Sequence, residues 1–312
     1  MSNEAPLVLA KPGNELVLKR GGWLHLFFIS MRPHQWSKNL FIFAPILFGQ
    51  KIGDPQAAVY SIVAFVSFCC LASGMYIFND WLDIEEDRIH PEKRNRPLSS
   101  GALPIPAAAF GAAVLILGGL GTAWFLGLQF LLIAGFYFIM TIAYCLVLKN
   151  MMILDCMTIA AGFVLRGVGG AGAVEVAASH WLIVCAFLLA LFLAFSKRRQ
   201  ELLELSRAAV HHRPVLSQYS VSFLGHVNVA LIAATIVCYA LYTVSAETVD
   251  KFGSDKLIYG TVFVIYGLLR YMALIEDPKK GGNPSKMLVQ DIPLLAVVAL
   301  WALYNAAVIY RL

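Results

Sequence analysis

Nine apolar stretches, each near the length that crosses a bilayer, constrain this chain more than anything else in it. A membrane-crossing helix needs roughly 20 mostly apolar residues. Such stretches fall at about 37–51, 56–79, 104–125, 128–148, 152–173, 180–196, 219–244, 256–275 and 290–310, the first being the shortest. Charged residues make up only 14% of the 312 positions and hydrophobic ones 59%, whereas a soluble domain carries roughly 25% charge. A water-soluble core of this size cannot hide that much apolar surface, but lipid solvates it. The expected fold class is therefore all-α, a polytopic membrane protein with nine transmembrane helices in one bundle.

Residues 22–31 are apolar and aromatic and precede Arg32-Pro33, which reads as an interfacial helix lying along the membrane surface. The expected division is 1–36, a cytoplasmic N-terminal tail with that helix, and 37–312, the nine-helix transmembrane domain. Residues 1–20 lack an apolar h-region, so no cleavable signal peptide is expected. The six cysteines all lie in apolar stretches without metal-ligand spacing and read as small hydrophobes.

The loops alternate in charge. Lys11, Lys19, Arg20, Arg32 and Lys38 precede or open the first span. Bases recur after span 2 (Arg88, Lys93, Arg94, Arg96), span 4 (Lys149), span 6 (Lys197, Arg198, Arg199, Arg207, Arg213) and span 8 (Lys279, Lys280, Lys286). The intervening loops are nearly free of bases or offset them with acids. The positive-inside rule then places the N-terminus and the even-numbered loops in the cytoplasm. A net charge of +5 is modest for this length and gives no reason to expect a nucleic acid partner.

Asn79-Asp80-Trp81-Leu82-Asp83-Ile84-Glu85-Glu86-Asp87 follows the second span without a break. Asp80, Asp83 and Asp87 fall at i, i+3 and i+7, so on a continuing helix they project from one face. Three like charges on one stripe repel one another, but a divalent cation resolves the repulsion. Magnesium (Mg2+) prefers oxygen ligands and usually binds through one or two carboxylates together with substrate phosphates. A basic stretch follows at once, with Arg88, His90, Lys93, Arg94 and Arg96 ahead of Pro97-Leu98-Ser99-Ser100-Gly101. Acids for a metal followed by cations suit a diphosphate leaving group.

An NDxxDxxxD motif followed by an RPLxSG-like stretch resembles the first signature of the UbiA superfamily of intramembrane prenyltransferases, with Asn79, Asp80, Asp83, Asp87, Arg96, Pro97 and Gly101 on it. The resemblance implies a UbiA-like bundle with a cytoplasmic Asp-rich loop and cap, and Asp80, Asp83 and Asp87 as metal-holding catalytic residues. Most superfamily members have a second Asp-rich motif after span 6. Here that place reads Ser196-Lys197-Arg198-Arg199-Gln200-Glu201, and bases replace the acids. Arginines and lysines there would contact phosphate directly.

This departure resembles one branch, the decaprenyl-phosphate phosphoribosyltransferases. Arg32-Pro33-His34-Gln35-Trp36-Ser37-Lys38-Asn39, His90-Pro91-Glu92-Lys93-Arg94, Ala143-Tyr144-Cys145 and Lys197-Arg198 with Glu201-Leu202 look like that branch. The implied reaction transfers phosphoribosyl from phosphoribosyl pyrophosphate (PRPP) to a polyprenyl (decaprenyl) phosphate with release of diphosphate, in the synthesis of cell-envelope arabinose precursors. The implied location is a bacterial inner membrane. Three phosphate groups need many cations, and Arg32, Lys38, Lys93, Arg94, Arg96, Lys197, Arg198 and Arg199 supply them. Asn79, Gln35, Tyr144 and Glu201 join the expected substrate-binding set.

Asp155 and Arg166 lie in or near span 5, where a central charge costs roughly 2.5–3.5 kcal/mol and usually lines a cavity. Both are therefore expected near substrate, although a buried arginine bonded to carbonyls is an equal reading of Arg166, and helix capping an equal reading of Asp291. Two other functions share parts of this pattern. One is a UbiA-type enzyme attaching a polyprenyl chain to an aromatic acceptor, which the missing second Asp motif disfavours. The other is a membrane transporter, whose polar site belongs near the midplane. The sequence leaves open the lipid's chain length and saturation, the number of Mg2+ ions, and whether the chain forms a homo-oligomer.

Overall fold

The structure, a computed structural model, describes residues 22–90, 93–205, 214–276 and 290–311. The tail 1–21, with Lys11, Lys19 and Arg20, lies outside them, as do Pro91, Glu92, Arg207, Arg213, Lys279, Lys280 and Lys286. Twelve α-helices are described below: α1 Trp23–Ser30, α2 Ala44–Phe48, α3 Pro55–Leu82, α4 Ile84–Ile89, α5 Ile105–Phe125, α6 Leu128–Leu146, α7 Leu154–Ala173, α8 His180–Leu205, α9 Val221–Val244, α10 Ala246–Phe252, α11 Thr261–Glu276 and α12 Ile292–Tyr310. Among the described residues, eight segments are helical, long and apolar enough to cross a membrane: α3, α5 to α9, α12, and 256–276, which joins a 3₁₀ turn to α11.

The ninth crossing is not the α-helix that the sequence predicts at 37–51. Pro33–Phe43 is a 3₁₀ helix that runs into the short α2. It nevertheless traverses the bundle. Arg32 pairs with Asp80 at one end of α3, Trp36 Nε1 donates to Ser73 Oγ at 3.0 Å, Asn39 Nδ2 lies 3.1 Å from Cys69 Sγ, and Phe43 packs on Phe65. Gln50 Nε2 reaches the Ile309 carbonyl at the far end. A 3₁₀ helix rises about 2.0 Å per residue, against 1.5 Å for an α-helix. A segment too short to cross as an α-helix therefore spans about 30 Å, the thickness of the hydrocarbon core.

Period three also sorts the faces of this segment. Trp36, Asn39 and Ile42 look into the bundle, with Asn39 and Ile42 fully buried. Gly170 of α7 meets Ile42 backbone to backbone, and a Cβ there would collide with the Ile42 carbonyl oxygen and lie 3.0 Å from its Cα. Gly170→Ala is expected to push the crossing segment off α7 and lower stability by about 1–3 kcal/mol, as overpacking does. Thermal inactivation in detergent checks this, and an unchanged midpoint would mean that the contact is slack.

The two longest helices carry the two charged motifs. Helix α3 has 28 residues and α8 has 26, or about 42 and 39 Å at 1.5 Å per residue. Both exceed the roughly 30 Å hydrocarbon core, and Asn79–Asp80 and Lys197–Glu201 lie toward their C-terminal ends. Asp54 starts α3 by accepting from the Gln56 and Ala57 amides, ahead of Pro55, a favoured N-terminal arrangement. At the site-bearing end, α1 lies across α5. Leu26 is buried with Ile77, Ile84, Leu98 and Ala108, while Trp23, Leu24 and Phe28 face outward. The segment expected to be a short apolar helix is helical over Trp23–Ser30.

Between the crossing segment, α7, α8, α9, α11 and α12 lies a cavity of about 700 Å³. Its walls are almost wholly apolar, with Phe41, Leu47, Phe163, Leu189, Tyr239 and Trp301 among them.

Candidate active site

The site forms where α3 ends. Helix α3 stops at Leu82, and Asp83 adopts φ −93° and ψ 9° before α4 begins. The expected continuous acidic stripe is therefore broken at its middle member. Asp80 and Asp87 stay together: Arg96 Nη1 donates to Asp80 Oδ1 at 3.0 Å and to Asp87 Oδ2 at 2.5 Å. One nitrogen bonded to both places the two oxygens within 5.5 Å of each other. Arg32 also binds Asp80, and Lys93 Nζ lies 3.8 Å from Asp87. Asp83 turns aside to Lys149 and accepts from Asn79 Nδ2 at 2.8 Å.

Arg32 sits in a left-handed conformation, φ 53° and ψ 59°, unusual for a non-glycine residue and disfavoured further by the following proline. Such strain costs of order 1–3 kcal/mol and collects at functional sites. Here it ends α1, starts the 3₁₀ crossing and directs the guanidinium over the Tyr76 ring, 5.2 Å from its centroid, onto Asp80.

The donor set suits a hard divalent cation. Asp80 and Asp87 supply oxygens around a position that a guanidinium nitrogen takes in this structure, and oxygen-only sites of this type hold Mg2+. Among the described residues no three acids, histidines or cysteines converge on one point, because Asp83 faces Lys149. Asp80 and Asp87 would hold the ion, with Asp83 beside them.

The second motif is built differently from the expectation. Arg198 is buried; its Nε donates to Asp155 Oδ2 at 2.7 Å and its Nη1 to Glu201 Oε2 at 2.7 Å. Tyr219 completes the cluster by donating to Asp155 Oδ1 at 2.7 Å, and burial together with that bond pushes its hydroxyl pKa up, so it stays a donor. Arg199 turns to Glu276, 3.5 Å away. Of the three bases expected at one mouth, only Lys197 is exposed there, 3.9 Å from Glu201. Asp155 and Arg198 tie α7 to α8.

Arg166 is likewise held internally. It donates to Asn39 Oδ1 at 2.5 Å, Gly162 O at 2.7 Å and Tyr137 Oη at 2.9 Å, with the Tyr137 ring 4.8 Å away. These bonds fasten the 3₁₀ crossing to α6 and α7. Asp291 caps α12 through the Leu294 amide and pairs with Arg270. Gln35, Lys38, Arg94 and Tyr144 all lie at or near the site-bearing end, and among the described residues their side chains form no hydrogen bond or ion pair. Sequence reasoning missed Lys149 as a site residue, having counted it only for topology. It also missed Tyr219, whose partner lies 64 positions away.

The bundle thus has a charged centre at one end and an apolar cavity among its spans. Residues 40–295 match the UbiA prenyltransferase family. The chain is 31% identical over 291 residues to a decaprenyl-phosphate phosphoribosyltransferase of Mycolicibacterium smegmatis, covering 90% of this chain and 91% of that one. The same-named protein of Corynebacterium glutamicum is 31% identical, over 90% and 86%. A UbiA homologue from Archaeoglobus fulgidus, solved with GPP and Mg2+, superposes with a TM-score of 0.70 at 20% identity, covering 91% of this chain and 99% of that one. The chain belongs to the UbiA prenyltransferase family.

Proposed function

We propose that this transferase moves the phosphoribosyl group of PRPP onto a polyprenyl phosphate, decaprenyl phosphate being the acceptor named for its relatives. The observation that carries the reading is a likeness to those phosphoribosyltransferases over nine-tenths of both chains. The basic second motif agrees with it, since a phosphate-rich donor and a phosphorylated acceptor call for cations rather than a second acidic cluster.

In the reaction, an oxygen of the lipid phosphate forms a bond to the anomeric carbon. The bond from that carbon to the diphosphate breaks, and its electron pair leaves with the diphosphate. The attacking oxygen is already anionic, so no general base has to remove a proton. Mg2+ held by Asp80 and Asp87, with Asp83 beside them, would neutralise charge on the departing diphosphate. Arg32, Lys93, Arg96 and Lys149 stand around those carboxylates and bind phosphate oxygens, with Arg94 nearby. Catalysis is then mostly positioning and electrostatic stabilisation of the leaving group. The apolar cavity receives the first part of the prenyl tail; pockets of this size enclose a drug-sized molecule, so a longer tail continues into the bilayer.

The protein works as a multi-pass protein of a bacterial inner membrane, with its site and N-terminus on the cytoplasmic side, where the basic loops lie. Diphosphate release tests this reading. Purified protein with Mg2+ should release diphosphate from PRPP only when a polyprenyl phosphate is present. Release dependent instead on a polyprenyl diphosphate and an aromatic acid would assign it to aromatic prenylation.

A further inference from the structure

We propose that Lys38 and Lys197 bind the phosphate of the acceptor lipid at the mouth of the apolar cavity, apart from the diphosphate centre at Asp80 and Asp87. This inference rests on the proposed phosphoribosyl transfer and names the residues that receive its acceptor. In the 3₁₀ crossing, residues three apart share a face. Phe41 and Ala44 line the cavity, and Lys38 is the next member of their row toward the site-bearing end, about 6 Å further along the axis. On α8, Leu189 and Leu193 line the same cavity. Lys197 stands one turn beyond Leu193 on that face.

Two helices thus end an apolar wall in a lysine at the same end of the bundle, and the two lysines lie within electrostatic range of each other. Arg166 and Arg32 add positive charge to the surroundings of Lys38. Among the described residues no carboxylate pairs with Lys38, unlike Arg32, Arg96 and Lys149, each of which is bound to an aspartate of the first motif. Lys197 keeps Glu201 3.9 Å away, so of the two lysines it is Lys38 that has no carboxylate partner among the described residues, and its burial beside other cations favours an anion against it. PRPP also carries a monophosphate, but it has no apolar part to fill the adjoining walls. A polyprenyl phosphate has both, and its headgroup meets Lys38 and Lys197 when its first isoprene units occupy the cavity. The phosphate is thereby held on one side of the site, with the diphosphate on the other and the ribose between them.

The test is steady-state kinetics on the full-length protein in detergent with Mg2+, varying PRPP and polyprenyl phosphate separately. Lys38→Met should raise KM for polyprenyl phosphate tenfold or more, and Lys197→Met several-fold. KM for PRPP should stay within twofold in both, and Lys38→Arg should restore most of the lipid affinity. An unchanged lipid KM in Lys38→Met would overturn the proposal. So would a PRPP KM that rises as much as the lipid KM, which would give the lysines to the donor's 5-phosphate or to general structure. If Lys38→Met cannot be purified folded, the exposed Lys197→Met decides the matter by the same two KM values. Wild-type protein that does not use PRPP at all would remove the proposed function itself. Active wild type with an unaltered lipid KM in the variants would remove only this inference.

Discussion

Asp80→Ala is expected to lower phosphoribosyl transfer by about a thousandfold or more, equivalent to about 4 kcal/mol of lost transition-state stabilisation at 1.36 kcal/mol per decade. Asp80 is the carboxylate on which both Arg32 and Arg96 converge, and it is one of the pair proposed to hold Mg2+. Asp83→Ala should also abolish turnover, because it frees Lys149 and removes the acid beside that pair. Neither change should prevent folding. The side chains of Arg32 and Arg96 remain 22% and 25% exposed, so water can solvate the cations left behind. The measurement is the initial rate in membranes normalised to the amount of protein present. Activity near wild type in Asp80→Ala would remove the first motif from the leaving-group site.

Arg198→Met should instead act on stability. Asp155 is fully buried and its carboxylate is shared between Arg198 and Tyr219. Removing the arginine leaves an uncompensated buried charge, a change that typically costs about 3–5 kcal/mol. The double variant Asp155→Leu/Arg198→Met should recover much of that loss, since replacing both partners of a buried ion pair with apolar groups is often neutral or stabilising. Tyr219→Phe should cost less, about 1.5–3 kcal/mol for one hydrogen bond to a charged group. Thermal unfolding of purified protein in detergent ranks the three. A single variant as stable as the double one would show that Arg198 is not the counter-charge of Asp155.

Much of this architecture is legible in the sequence because lipid makes a simple demand. Spans need length and apolarity, and nine stretches appear by those criteria, the first as the shortest. What escapes them is the 3₁₀ geometry of the crossing at 33–48, which shows only in which neighbours Trp36, Asn39 and Ile42 touch. The first motif is legible through its spacing, but the break at Asp83 is not, because nothing local marks where α3 stops. The bases after span 6 misled in a particular way. A basic loop reads as solvated or substrate-facing, whereas Arg198 is taken inward by Asp155, 43 positions earlier. Lys149 was hidden for the converse reason: its partner Asp83 lies 66 positions away, so a lone base between two spans carried no local sign of the site. Long-range pairing of charges is what the sequence alone does not order.

The most direct test of the central claim is radiometric transfer by the purified wild-type protein in detergent with Mg2+, using PRPP labelled in the ribose and a polyprenyl phosphate. Label should pass into the organic phase only when both substrates are present, and EDTA should stop it. Label that remains in the aqueous phase, while a labelled polyprenyl diphosphate is joined to an aromatic acid by the same preparation, would contradict the account.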